Sequence, residues 1–180
     1  APGGKTTHMA ALMENRGRIV ACDIYDHKLH RVMENAARLG INIIDPMLKD
    51  AREIQQDFPQ QADRVLVDAP CSGLGVLRRK PDSRWRKTQQ LLKELPELQL
   101  EILKSGAACV KPGGILVYST CTIVREENQA VVEKFLKDNA EFQLEHTGSR
   151  LPVPREDAMV QLYPQRDGTD GFFIACMRRK

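Results

Sequence analysis

The chain has 180 residues, 42% apolar and 28% charged, with a net charge of +3. That is length and composition enough for one globular domain with a real core. No apolar run approaches the roughly 20 residues that span a membrane, nothing resembles a signal peptide, and a charge this small requires any nucleic-acid affinity to come from a local patch.

Ala1-Pro-Gly-Gly-Lys-Thr-Thr7 is a glycine loop running into a helix from Lys5 to about Asn15. The amide groups at such a helix start suit an anion or a carboxylate. A glycine loop of this kind normally follows a strand, so the sequence reads as truncated at its N-terminus, with at least one strand absent. Arg18–Asp23 is a buried strand ending in an acid. Tyr25–Leu39 is a helix with Leu29, Val32, Ala36 and Leu39 at helical spacing and Gly40 as its stop. Ile41–Leu48 holds a short strand weakened by Pro46, with Asp50 at its end. Ala51–Gln61 is a short helix and loop.

Val65-Leu-Val-Asp68 is an apolar strand that ends abruptly in Ala-Pro-Cys71-Ser-Gly73. From Cys71 to Lys87 the chain reads as a basic loop, with Arg78, Arg79, Lys80, Arg84, Arg86 and Lys87 around Pro81 and Trp85. A helix is expected from about Leu95 to Val110, with Pro96 in its first turn. Lys111-Pro-Gly-Gly114 turns it into a second apolar strand, ending Ser119-Thr120-Cys121-Thr122. Glu126–Asn139 reads as a helix, Phe142–His146 as an edge strand, Leu151–Arg166 as a proline-bearing loop and Asp170–Met177 as the last strand. Strands alternating with helices indicate an α/β fold with a mostly parallel doubly wound sheet, closing in a strand pair. No repeat or internal boundary is visible, so 1–180 reads as one domain.

In an open α/β sheet, ligands bind beyond the carboxyl ends of the strands. Two strand ends therefore deliver Asp68, Cys71 and Cys121 to one crevice. A strand-end cysteine is either a small buried hydrophobe or, with its pKa lowered locally, a nucleophile. Two of them beside an aspartate favour chemistry. Asp68 lies where a ligand group or metal ligand is expected. Asp23 and Asp50 read either as turn and cap residues or as groups bonding ribose hydroxyls and an adenine amino group. The loop around Trp85 reads as a solvated surface or as a grip on a phosphate backbone with an aromatic for stacking. The five cysteines fit no metal spacing; Cys22, Cys109 and Cys176 read as inert core thiols, and the set suits a reducing cytosol.

The combination of Ala1-Pro-Gly-Gly-Lys-Thr, Asp23, Asp50, Asp68-Ala-Pro-Cys71-Ser-Gly, Arg79-Lys-Pro-Asp82, Lys111-Pro-Gly-Gly, Thr120-Cys121, Glu126-Glu-Asn128 and Asp170-Gly-Phe-Phe173 resembles the NOL/NOP/Sun family of RNA cytosine-5 methyltransferases. The resemblance covers essentially the whole chain. It implies a Rossmann-like fold lacking its first strand, with S-adenosyl-L-methionine as methyl donor. It implies a cofactor site formed by Ala1, Pro2, Gly3, Gly4, Lys5, Asp23 and Asp50, with Asp68 between cofactor and cytosine. Cys121 is the implied nucleophile, and Cys71 assists product release. The implied partner is RNA, ribosomal RNA of the small subunit in the first place and tRNA in the second. Arg78, Arg79, Lys80, Arg84 and Trp85 face that RNA. No metal and no membrane are expected, and the protein reads as a cytoplasmic monomer. Two alternatives stand beside this reading. Gly4-Lys5-Thr6 and Val65-Leu-Val-Asp68 match parts of a P-loop nucleotidase, and a non-catalytic RNA-binding scaffold could keep the same fold.

Overall fold

The apolar runs become strands and most intervening segments helices in a computed structural model that describes residues 3–152 and 154–180. The chain divides into two units, Ala1–Ile54 and Gln55–Lys180.

The first unit contains helix α1 (Gly4–Leu12), strand β1 (Ile19–Asp23), helix α2 (Asp26–Arg38) and strand β2 (Ile44–Leu48). β1 and β2 pair in parallel, with Ile19 opposite Ile44 and Asp23 opposite Leu48. Parallel neighbours need a crossover, and α2 supplies it, burying Leu29, Val32 and Ala36 from one helical face. Pro46 is accommodated within β2 opposite Ala21, in a two-stranded sheet where each strand is an edge. Gly3 adopts a left-handed φ of 94°, and a Cβ there would lie 3.1 Å from the Val32 Cα. Only glycine lets α1 begin this close to α2.

The second unit holds β3 (Ala62–Asp68), α3 (Gln89–Cys109), β4 (Val110–Thr120), α4 (Gln129–Asp138), β5 (Phe142–Leu144), β6 (Met159–Leu162), α5 (Pro164–Asp167) and β7 (Phe172–Arg179). The strand order is β3-β4-β7-β5, with β6 also on β7. β3 and β4 are parallel, and β7 runs antiparallel to β4, β5 and β6. The sheet is therefore mixed: parallel where α3 crosses over, antiparallel at the C-terminal end. Leu103 from α3, Val132 and Phe135 from α4, and Leu116, Tyr118 and Met177 from the sheet are all essentially inaccessible to solvent. Burying one leucine so completely contributes about 1.5–3 kcal/mol.

Five sequence expectations are corrected. α3 begins at Gln89, not near Leu95, because Thr88 caps it by accepting a hydrogen bond from Leu91 N at 3.1 Å. Pro96 is then inside the helix rather than in its first turn. Lys111–Gly114 lies within β4, where the register slips between Ala62 and Arg64, so this segment is a bulge in the strand instead of the turn between the helix and the strand. The helix expected from Glu126 begins only at Gln129, after one tight turn, Arg125–Glu127. The expected loop Leu151–Arg166 contains β6 and α5. β6 has only four residues, too few for a legible alternation, and is held by pairing with β7.

Candidate active site

Strands β3 and β4 are neighbours in register, with Asp68 opposite Ser119. Both end here, and Ala69 N donates to Ser119 O at 3.0 Å. The chains leaving them carry Cys71 and Cys121, whose sulfurs lie 3.3 Å apart, both half-buried. Two cysteines 50 positions apart in the sequence thus form one dithiol. The contact with Cys121, then burial, pushes the Cys71 thiol far above the ordinary thiol range. Cys71 therefore holds its proton, and the sulfur facing it is Cys121. Ser119 Oγ donates to Asp68 Oδ1 at 3.0 Å, which orients a carboxylate that is itself exposed.

Below the dithiol lies a polar cluster whose members are almost entirely buried: Ser72, Gln99, Thr120, Thr122, Glu127 and Asn128. Ser72 N donates to Glu127 Oε2 at 2.8 Å, and Gln99 Nε2 donates to the same oxygen at 3.0 Å. Thr122 Oγ1 lies 3.3 Å from Glu127 Oε1. Tyr118 OH donates to Glu127 O at 2.7 Å, and burial pushes that phenol well above its usual range. Glu126-Glu-Asn128 belongs to the family resemblance with no role attached to it. Acids just before a helix read as a helix start, and nothing local reveals that one of them is fully buried.

A second junction closes the site. Gly75 N donates to Cys121 O at 3.0 Å, and Gly171 N donates to Gly75 O at 2.8 Å. A Cβ on Gly75 would lie 2.0 Å from Gly171 O, so no other residue fits. Arg78 Nε and Arg79 Nη2 both reach Asp170, each at 2.6 Å. Two of the expected RNA-facing cations are thus also ties between loops. Trp85 is 78% exposed with the Arg84 guanidinium 4.8 Å from its ring centroid, an arrangement open to stacking. Lys80 lies between these pairs, before the turn Pro81–Arg86.

In the first unit, Asp23 ends β1. Its Oδ1 accepts from Tyr25 N at 2.9 Å and lies 3.5 Å from Lys28 Nζ. Asp50 follows β2, and the Arg52 guanidinium at 2.6 Å holds its carboxyl below the usual carboxylate range. Gly3 and Gly4 open α1, with no side chain capping it; Lys5 lies in its first turn. Ala1 and Pro2 lie outside the described residues.

The overall structure is similar to that of PH0851 (TM-score 0.92, 40% identity, 99% of this chain and 41% of that one) and to that of NSun6 from Pyrococcus horikoshii with SFG (TM-score 0.88, 35% identity, 99% and 46%). The fold is that of the S-adenosylmethionine-dependent methyltransferases. Within that class the chain belongs to the family of 16S rRNA methyltransferases RsmB/F, whose profile matches residues 1–178. A probable ribosomal RNA small subunit methyltransferase B from Bacillus subtilis (strain 168) is 45% identical, over all of this chain and 42% of that protein. The chain thus spans about two fifths of the curated relatives it matches. Family membership removes the P-loop nucleotidase alternative. Among the described residues, no helix is long and apolar enough to cross a membrane.

Proposed function

We propose that the chain transfers a methyl group from S-adenosylmethionine to C5 of a cytosine in RNA, ribosomal RNA of the small subunit, through a covalent bond from Cys121 to C6. The observation that carries this is the Cys71–Cys121 contact of 3.3 Å at the ends of two neighbouring strands. An inert buried cysteine needs no such partner.

Cytosine C5 is a poor nucleophile. The electron pair of the Cys121 thiolate forms the S–C6 bond, and the C5=C6 pair moves to C5, which becomes enamine-like. The bound cofactor supplies an electrophilic methyl group on a sulfonium. Asp68, oriented by Ser119, serves the N3 and amino edge of the base and stabilises the addition. After transfer the C5 proton must leave, so that its electron pair restores C5=C6 and expels Cys121. Cys71 suits that step. The main cause of its raised pKa is the neighbouring sulfur, and that cause disappears once Cys121 is a thioether. Its proton can then depart, leaving a base beside the adduct.

The carboxylates of Asp23 and Asp50 suit the hydroxyl and amino donors of an adenosyl group, because a carboxylate is an acceptor. The amides of Gly3, Gly4 and Lys5 at the start of α1 suit a carboxylate, and Ala1 and Pro2 belong to the same loop in this reading. Arg78, Arg79, Lys80, Arg84 and Trp85 grip an unstacked RNA segment, since the base must be turned out of its stack to be reached. The reading carries with it one catalytic domain over 1–180 acting as a cytoplasmic monomer.

Two variants test it with radiolabelled S-adenosylmethionine and small-subunit rRNA. Cys121→Ala should abolish transfer, at least a thousandfold, without loss of fold. Cys71→Ala should retain adduct formation and accumulate a protein–RNA band that survives denaturing electrophoresis. Transfer undiminished in Cys121→Ala would refute the mechanism, and wild-type RNA binding without transfer would make the chain a scaffold.

A further inference from the structure

The buried acid and amide that follow the second cysteine segment, Glu127 and Asn128, have no contact with a reacting atom, yet they touch the residue after Cys71 and the residues on either side of Cys121. We propose that they are positioning residues, a polar knot that sets the separation of the Cys71 and Cys121 sulfurs. The inference rests on the reading of these cysteines as the reacting pair.

Glu127 is completely buried, which is rare for a glutamate without a partner charge. All three groups bonded to its carboxylate are neutral. Oε2 accepts from Ser72 N, the amide directly after Cys71, and from Gln99 Nε2. Oε1 faces Thr122 Oγ1, on the residue directly after Cys121. Ser72 Oγ and Thr122 Oγ1 are 2.8 Å apart and close the ring. One carboxylate therefore joins the two cysteine loops at the position following each cysteine.

Asn128 brackets Cys121 alone. Its Oδ1 accepts from Thr120 Oγ1 at 2.5 Å, and its Nδ2 donates to Thr122 O at 3.0 Å. The same nitrogen donates to Gln161 Oε1 at 2.7 Å, which ties the bracket to β6. Gln99 Nε2 also donates to Pro70 O at 2.9 Å, on the residue before Cys71. Both cysteines are thus held from both flanks by groups converging on two consecutive residues. A network built only to fill the core has no reason to distribute its bonds this way. Half-satisfied buried networks are costly, so loss of one member should be felt at both loops.

The direct readout is the tendency of the dithiol to close. In a glutathione buffer, the Cys71 and Cys121 thiols and one oxidised glutathione exchange to one protein disulfide and two reduced glutathiones. The S–S bond forms at the expense of the glutathione disulfide, and both thiol protons end on glutathione. The midpoint gives the effective concentration of one thiol at the other, with the Cys71–Cys121 link verified by peptide mass mapping. It needs neither RNA nor cofactor.

On the 180-residue chain, Glu127→Gln turns an acceptor into a donor facing donors. It should lower the effective concentration at least tenfold, and lower kcat at least tenfold with KM for RNA little changed. Ser72→Ala keeps the amide bond to Glu127, removes only the hydroxyl link, and should lower the effective concentration about threefold in a folded protein. Phe135→Leu, in the apolar core of α4, should lower the melting temperature and leave the effective concentration unaltered. An effective concentration unchanged in both Glu127→Gln and Ser72→Ala, or falling equally in Phe135→Leu, overturns the proposal. A fall confined to the knot variants, in a wild-type chain that methylates nothing, would uphold the positioning and reject the methyl-transfer reading instead.

Discussion

Asp167 shows how much a single side chain can hold. Its carboxylate accepts from Arg155 and from Tyr163 N, and it pairs with Arg166. The bonds from Arg155, Tyr163 and Arg166 hold it far below the usual carboxylate range. A depressed folded-state pKa means that the contribution to stability is complete above the unfolded value, near 4, and disappears only as pH falls through the folded value. Asp167→Asn should therefore be less stable than the wild type at neutral pH, with the two urea midpoints converging in strong acid. A gap that stays constant down to pH 2 would contradict this assignment. The basic loop separates by the same logic. Lys80→Ala should weaken RNA binding and lower the slope of log affinity against log salt by about 0.7, one phosphate on a single strand. Arg78→Ala should also lower the melting temperature, because Arg78 binds Asp170 and Gly168 O.

At the scale of elements, α3 carries a cost. Pro96 has no amide hydrogen and sits eight residues into a helix capped at Thr88, where proline costs about 3 kcal/mol relative to alanine. Pro96→Ala should raise stability by about 1–3 kcal/mol in urea unfolding, and no gain would mean that the helix already bends to relieve it. The parallel pair β3–β4 is the element on which the site depends. Its register puts Asp68 beside Ser119 and sends Cys71 and Cys121 out of the same sheet end. Parallel pairing was legible from the two apolar runs separated by a helix, since such a connection is long enough only for a crossover. β6 was not legible, because four residues acquire strand geometry from their partner rather than from their own pattern.

For the whole molecule, the candidate groups divide between the two units. Gly3, Gly4, Lys5, Asp23 and Asp50 lie in the first, and Asp68, both cysteines and the basic loop in the second. Ligand linkage tests the cofactor reading without assuming a geometry. S-adenosylhomocysteine at one hundred times its Kd should stabilise the chain by about 2.7 kcal/mol. Asp23→Ala should need a much higher concentration for the same shift. Thermal unfolding unaffected by the nucleoside, but shifted by ATP with magnesium, would reject the assignment.

The sequence alone determined the α/β class, pointed to the strand ends as the place for chemistry, and singled out Asp68, Cys71 and Cys121 as its candidates. These rest on local information: apolar run length, helix periodicity, and small or polar residues at the point where a strand stops. The tertiary structure alone decided that the two sulfurs touch, that Arg78 and Arg79 are shared with Asp170, and that Glu127 is buried among neutral donors. Those facts join residues up to 92 positions apart. A hydrogen-bonding partner supplied by a distant segment leaves no trace in the pattern of either segment, because the backbone periodicity is the same whether the partner is a carboxylate or water.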